Sequence, residues 1–117
     1  LQEQEEFKKL LKEQSRQEGN VIITDLRAVR TMPAGNRFLI YTMYPEANVE
    51  VRIFPGILNN TVVAVGHSIF NRTCKVNVGK LMAEYGGGGH QGAGTCQLPD
   101  EEADAKITEI VERLKET

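Results

Sequence analysis

The residues of this 117-residue chain that could do chemistry lie in two short segments, 66–73 and 86–94. The second segment holds six of the eleven glycines, and His90 directly follows a run of four. One glycine is enough to end a helix, and each ordered glycine costs roughly 0.5–1 kcal/mol of conformational entropy. A run of four therefore indicates a backbone that approaches something closely. Successive amide N–H groups in such a turn form a concave anion site, and the ring N–H of His90 can donate to the same anion.

Arg72 lies in the first segment, and its planar guanidinium suits the oxygens of a phosphate group. We therefore predict a phosphate site formed by Arg72, Gly87, Gly88, Gly89 and His90. The alternatives are a flexible glycine loop, a solvated histidine and a surface arginine. Weaker candidates are four residues of types that more often act in turns, caps or packing: His67, Ser68, Asn71 and Thr73.

The residue spacing does not match the motifs of three other kinds of site: a dinucleotide-binding fingerprint, a P-loop and a zinc site. Gly87, Gly89 and Gly92 have the spacing of a dinucleotide-binding fingerprint, but that motif follows a strand and opens a helix. Here a helix is predicted before the glycines and none directly after them. A P-loop needs lysine after its last glycine, where this chain has His90. The cysteines and histidines lack the short spacings of a zinc site, so we predict no metal in this chain.

The composition is that of one ordinary globular domain, with 40% hydrophobic and 26% charged residues. The net charge is −2, which argues against a strongly basic clamp for nucleic acid, whereas residues 20–98, with seven basic and four acidic side chains, are mildly positive. No apolar run approaches the ~18 residues of a membrane span, and the acidic start lacks the features of a signal peptide. We expect a cytoplasmic protein without membrane contact, in which Cys74 and Cys96 are reduced.

Hydrophobic periodicity predicts an α/β domain, with a mixed four- to five-stranded sheet packed by helices. The apolar run at 38–43 suits an interior strand, and the strict alternation at 49–53 suits a strand with one wet face. Further strands are predicted at 21–24, 61–65 and 94–98, helices at 3–18, 78–85 and an amphipathic C-terminal one at 101–116, and a loop at 30–36. Gly19-Asn20 is the expected C-cap of the first helix, and Asn77 and Asp100 are the expected N-caps of the other two.

Residues 87–90, followed by Gly92-Ala93-Gly94, resemble the Gly-Gly-Gly-His motif of the DHH-associated C-terminal domain in the DHH phosphoesterase superfamily. The segments 65–73 and 76–79 look like the subgroup named exopolyphosphatase-related proteins, and the resemblance covers residues 20–98. In place of the family's more common Ser-Leu-Arg-Ser, this chain has residues 70–73, Phe-Asn-Arg-Thr.

The resemblance implies a substrate-binding lobe, in which residues 87–90 and Arg72 hold a phosphate or nucleotide. Substrates in the family are short oligonucleotides, 3′-phosphoadenosine 5′-phosphate, cyclic-dinucleotide products and, for some members, polyphosphate. A separate N-terminal DHH domain there binds two divalent metals, usually manganese (Mn²⁺). The chain has no Asp-His-His triplet and begins with Leu1. We therefore expect residues 1–19 to be a linker helix to such a domain, residues 20–117 to be the substrate-binding domain, and the chain alone to be inactive.

Two other classes of function stay open at this point. The chain could be a non-catalytic module that binds a nucleotide or single-stranded nucleic acid, or a dimerisation domain. The expected partners are accordingly the DHH domain of the same chain, a phosphorylated small molecule or short single-stranded nucleic acid, and, in the last case, a second copy. Binding that weakens steeply with salt would indicate several phosphate contacts.

Overall fold

The computed structural model describes residues 2–29 and 39–115, which contain four helices and six strands. In chain order these are α1 (Gln2–Gln14), β1 (Ser15–Glu18), β2 (Val21–Asp25), α2 (Leu39–Met43), β3 (Val49–Pro55), β4 (Asn60–His67), α3 (Val78–Ala83), β5 (Gly88–His90), β6 (Ala93–Pro99) and α4 (Asp100–Leu114). The predicted α/β class with a mixed sheet is confirmed, and the sheet has six strands rather than four or five. The loop predicted at 30–36 lies outside the described residues.

All six strands form one sheet in the order β1-β2-β3-β4-β6-β5. β2 and β3 are parallel, and every other neighbouring pair is antiparallel. Short turns join the antiparallel pairs β1–β2, β3–β4 and β5–β6, whereas a parallel pair needs a longer crossover. The helix α2 lies in the crossover between β2 and β3.

The two faces of the sheet are covered differently. Because successive side chains of a strand point to opposite faces, each strand contributes to two layers. One face packs against α3 and α4 in the larger core, which includes Val51, Val63, Leu81 and Ile110. The other face packs against α1 and α2 through a smaller cluster. Farther along this second face, on β6, Thr95 and Gln97 are exposed.

The first helix ends at Gln14, four residues earlier than predicted. Residues 15–18 form β1 and pair with β2, with Ser15 opposite Thr24. Gly19, at φ +60°, turns the chain between these strands and does not cap the helix. The apolar spacing in α1 stops at Leu11, which is fully buried, and the polar residues after it carry no periodicity that separates helix from strand. The role of this segment as a linker to another domain stays a prediction.

The strand predicted at 38–43 is wrong, because residues 39–43 form the short helix α2. The N–H of Tyr44 donates to the carbonyl oxygen of Ile40 at 3.1 Å, a helical turn that buries Ile40 and Tyr41 against α1 and β2. A short continuous apolar run fits a buried strand and a buried helix equally well. Here the crossover between two parallel strands decides in favour of the helix.

The remaining predicted strands are confirmed as β2, β3, β4 and β6. On β3, Val49, Val51 and Ile53 are buried on one face, and the other face carries buried Glu50 and the partly exposed Arg52 and Phe54. Asn77 caps α3, accepting the N–H of Lys80 at 3.1 Å, as predicted. Asp100 is the first residue of α4 and not its N-cap; its carboxylate accepts from the hydroxyl of Thr61 at 2.7 Å.

Cys74 and Cys96 are both buried and free. Burial raises the pKa of the Cys96 thiol to about 11, so this thiol is protonated at neutral pH. Among the helices of residues 2–29 and 39–115, none has the length and apolarity needed to cross a membrane.

Candidate phosphate-binding cleft

Arg72 and His90 line one open cleft of about 300 Å³. The cleft lies where β4 ends and the chain leaves the sheet, opposite the turn that joins β5 to β6. The N–H of His67 donates to the carbonyl oxygen of Gly92 at 2.8 Å, which ties these two segments together. The other lining residues are His67, Ser68, Ile69 and Gly92. The structure therefore brings together Arg72 and His90 from the main prediction and His67 and Ser68 from the weaker one.

The chain beyond β4 makes a tight corner around Ser68. The Ser68 side chain is only 3% exposed, and its oxygen accepts the N–H groups of Phe70 and Asn71 at 3.1 and 3.0 Å. The Ser68 N–H donates to the carbonyl oxygen of Asn48 at 2.8 Å. Ser68 thus lines the cleft but uses its oxygen to hold the corner.

Asn71 and Thr73, two weaker candidates, do not line the cleft. The amide nitrogen of Asn71 donates to the carbonyl oxygens of Pro45 and Glu46 at 3.4 and 3.3 Å. The Thr73 hydroxyl donates to Oδ1 of Asn71 at 2.7 Å and accepts from Asn48 at 3.1 Å. Both side chains therefore anchor the corner to the segment before β3.

The corner presents Arg72 to the cleft with most of its hydrogen-bonding groups free. Nε of Arg72 donates to the carbonyl oxygen of Ile69 at 3.1 Å, which fixes the side chain's direction. Within the described part of the chain, the terminal nitrogens Nη1 and Nη2 make neither a hydrogen bond nor an ion pair. An arginine held at Nε with a free planar fork suits two oxygens of one phosphate.

The hydrogen bonds of the two histidines determine what each ring can offer when it is neutral. Nδ1 of His90 accepts the N–H of Gly92 at 3.3 Å, so the proton lies on Nε2, which can donate to an anion. Nε2 of His67 lies 2.9 Å from the carbonyl oxygen of Val76. A carbonyl only accepts, so His67 donates from Nε2 and keeps Nδ1 as an acceptor. His90 therefore supplies a donor at the cleft and His67 an acceptor.

The close approach predicted from the glycine run is made to the protein's own backbone and not to a ligand alone. Residues 88–90 form β5, and Gly89 has φ +151°. A methyl group on Gly87 would lie under 3.0 Å from the backbone of Thr95 and from Cys96, and one on Gly89 would overlap the backbone of β6 equally. The glycine run therefore lets the backbone of β5 pack directly against that of β6. On the other side, a methyl group on Gly79 of α3 would overlap the backbone of β5.

The anion site predicted from successive glycine amides is not formed at Gly87. Its N–H donates to the carbonyl oxygen of Met82 at 2.9 Å, so it is not free for a ligand. Gly87, Gly88 and Gly89 are not among the residues that line the cleft, and Gly87 and Gly88 line a separate surface cavity. Ligand contacts by Gly88 and Gly89 stay a prediction.

A larger cavity of about 480 Å³ adjoins the cleft and shares His67, Ile69 and Gly92 with it. Four residues that line it were missed from the sequence: Tyr41, Glu50, Arg52 and Phe54. Three of them alternate along β3 and therefore share one face of the sheet. That alternation was visible in the sequence, but it was interpreted as a wet face and not as the wall of a site.

In residues 2–29 and 39–115, no three or more His, Cys, Asp or Glu side chains are grouped closely enough to hold a metal ion.

The chain is similar to solved structures but not to family models or curated proteins. No family model matches the chain, and no curated protein matches it. Among solved structures, the chain is similar to PggH, a pGpG-specific phosphodiesterase from Vibrio cholerae, with a TM-score of 0.93 and 38% sequence identity. The match covers 97% of this chain and 39% of PggH. The chain thus spans less than half the length of that phosphodiesterase and shares the fold of the matching part.

Proposed function

We propose that this chain is the substrate-binding lobe of a DHH-family phosphodiesterase that acts on short oligonucleotides. The observation that carries the proposal is that Arg72 and His90, from different elements, line one cleft and each keep an N–H donor free. The similarity to part of a pGpG-specific phosphodiesterase supports both the reaction class and a substrate of dinucleotide size. The glycine-histidine motif at 87–90 supports the DHH family.

The contribution of this lobe is to position the substrate and neutralise its charge. The guanidinium fork of Arg72 binds two phosphate oxygens, and Nε2–H of His90 donates to the same group. His67 offers Nδ1 as an acceptor for a hydroxyl group beside it. Bond cleavage belongs to a separate DHH domain, whose divalent metals, usually manganese in the family, would activate water. This chain alone is therefore expected to bind substrate without hydrolysing it.

The experiment is a titration of the chain with pGpG and with pyrophosphate, followed by amide NMR and calorimetry. We expect shifts at 67–72 and 90–92, and affinity at least tenfold weaker in Arg72→Ala and in His90→Ala. Lys75→Ala is the matched control, because it removes one positive charge three residues from Arg72 without touching the cleft. Its affinity should stay within about twofold of the wild type.

Three results would contradict the proposal. One is binding that leaves the resonances of the cleft unchanged, and another is equal weakening by Lys75→Ala and Arg72→Ala. The third is hydrolysis of pGpG by the chain alone in the presence of Mn²⁺. A folded chain that binds neither ligand but is dimeric by light scattering would favour a dimerisation domain instead.

A further inference from the structure

The cavity beside the phosphate cleft has features of a nucleobase site. Its volume of about 480 Å³ falls within the ~300–1,000 Å³ typical of small-molecule sites. Tyr41 and Phe54 contribute aromatic walls, and the small residues Ala64 and Gly66 of β4 leave the space between them open. Aromatic side chains of this kind stack on bases that are not paired with another strand.

A buried ion pair on β3 gives this cavity a polar wall. Oε2 of Glu50 accepts three hydrogen bonds, from the Thr24 hydroxyl at 2.9 Å and from Nε and Nη2 of Arg52 at 3.0 and 2.8 Å. The side chains of Glu50 and Arg52 are only 8% and 13% exposed. Within the part of the chain that the structure describes, Oε1 of Glu50 and Nη1 of Arg52 form no hydrogen bond. One acceptor and one donor of the pair are thus left without a partner in this part of the chain.

Hydrogen bonds from β1 and β2 fix the orientation of the Glu50 carboxylate. The Thr24 hydroxyl donates its hydrogen bond to Glu50, because a carboxylate oxygen only accepts. The Ser15 hydroxyl, 2.8 Å from that of Thr24, must then be the donor of their shared hydrogen bond. The chain Ser15–Thr24–Glu50 crosses β1, β2 and β3, so the sheet itself holds the carboxylate in place.

We propose that this cavity binds a guanine base, with Glu50 and Arg52 distinguishing guanine from adenine. The proposal rests on the phosphate site of the proposed function, since one ligand reaches both places across the shared residues His67, Ile69 and Gly92. Guanine carries an acceptor, O6, and an amino donor, N2–H₂. The free oxygen of Glu50 accepts from the amino group, and the free nitrogen of Arg52 donates to O6.

Adenine does not match this arrangement. It carries an amino donor where guanine has O6 and lacks the amino group at position 2. Arg52 would therefore face a donor, and Glu50 would lose its partner. A buried polar group left unpaired disfavours the wrong ligand strongly, so we expect a preference of at least tenfold for guanine.

The test compares pGpG, pApA and pyrophosphate as ligands of the same chain by calorimetry. In Glu50→Gln, the side-chain amide can place a donor where the carboxylate accepted. The preference for pGpG over pApA should then fall to about twofold or less, while pyrophosphate affinity stays within about twofold of the wild type. Circular dichroism and a thermal melt establish that the variant is folded.

A second variant leaves the ion pair intact. Ala64→Leu fills the cavity from β4 and should reduce the affinity for pGpG to that for pyrophosphate. Val62→Leu is the matched control, because Val62 lies two residues earlier on the same face of β4 and does not line the cavity. Its affinity for pGpG should equal that of the wild type.

The outcomes separate the guanine site from the phosphate site. Pyrophosphate binding that depends on Arg72, together with equal affinities for pGpG and pApA, would overturn the guanine site alone. Folded Glu50→Gln and Ala64→Leu variants that keep the wild-type preference would do the same. A wild-type chain that binds none of the three ligands would overturn the phosphate site, and the guanine site with it.

Discussion

The two walls of the candidate cleft are held in place by different physical means. The corner at 68–73 depends on side-chain hydrogen bonds, above all the two that Ser68 accepts and the two that Asn71 donates. The opposite wall, β5 with His90, depends on the absence of side chains. At four glycines in or beside it, an added methyl group would lie under 3.0 Å from backbone atoms: Gly79, Gly87, Gly89 and Gly94. One wall is built from polar groups and the other from close backbone packing.

This difference predicts how each wall responds to change. A hydrogen bond that is lost at a partly solvated corner is replaced in part by water, so the cost is moderate. A backbone in direct contact with another backbone cannot yield without moving a strand, so one added methyl group costs more. Substitutions in the wall formed by β5 should therefore destabilise the fold more than substitutions in the corner at 68–73, although this wall contains fewer hydrogen-bonding side chains.

The largest effect is expected for Gly87→Ala. The new methyl group would meet the backbone of Thr95 and Cys96 at under 3.0 Å, and we expect a loss of about 3 kcal/mol in the free energy of unfolding. Gly88→Ala is the matched control, because no atom lies within 4 Å of its added methyl group. That variant should stay within about 0.5 kcal/mol of the wild type. Urea denaturation measures both, and equal losses would show that packing does not hold this wall.

A smaller loss is expected when the corner is weakened. Ser68→Ala leaves the N–H groups of Phe70 and Asn71 without their acceptor, at a cost of about 1–2 kcal/mol. Thr42→Ala is the control, since its exposed hydroxyl makes a hydrogen bond of 2.7 Å within α2 and should contribute less than about 0.5 kcal/mol. If Ser68→Ala destabilised the domain more than Gly87→Ala, the order of the two walls would be reversed.

Elements with a regular hydrophobic periodicity or specific cap residues were predictable from the sequence. The hairpin of β3 and β4, the capped start of α3 and the amphipathic α4 all follow from local patterns of apolar and turn residues. β1 and α2 were missed because neighbours distant in sequence decide them. The polar residues 15–18 become a strand only beside β2, and Ile40 and Tyr41 become helical only against α1 and β2.

The site residues follow the same rule: those marked by a local motif were predicted, and those that depend on distant partners were missed. Residue type and motif singled out Arg72 and His90, and the structure places both at one cleft. The glycines were predicted to bind the ligand. Instead, the N–H of Gly87 donates to the carbonyl oxygen of Met82, and the lack of a side chain at Gly87 lets the backbone pack against β6. Glu50 was missed because one of the partners of its buried carboxylate is Thr24, 26 residues earlier in the chain. No local pattern reports such a partner.

The smallest predicted effect is one of pH, and it tests whether the two walls are independent of the domain's carboxylates. The guanidinium of Arg27 holds the pKa of Asp25 below its usual value. A carboxylate with a lowered pKa stabilises the fold above its unfolded pKa of about 3.9, and this stabilisation is lost as the pH falls through its folded pKa. The pair is about one-third exposed, so we expect only about 0.5 kcal/mol.

The measurement is the difference in free energy of unfolding between the wild type and Asp25→Asn. This difference should be present at pH 6 and shrink as the pH falls below 4, because protonated Asp25 then resembles asparagine. Glu50, whose pKa burial raises, acts in the opposite direction but is common to both proteins and cancels. Neither cleft wall contains a carboxylate, so Gly87→Ala and Ser68→Ala should keep the wild-type pH dependence. A changed pH dependence of the free energy of unfolding in either variant would mean that its wall is coupled to charged groups elsewhere in the sheet. Hydrogen bonding and packing alone would then not explain the difference between the two walls.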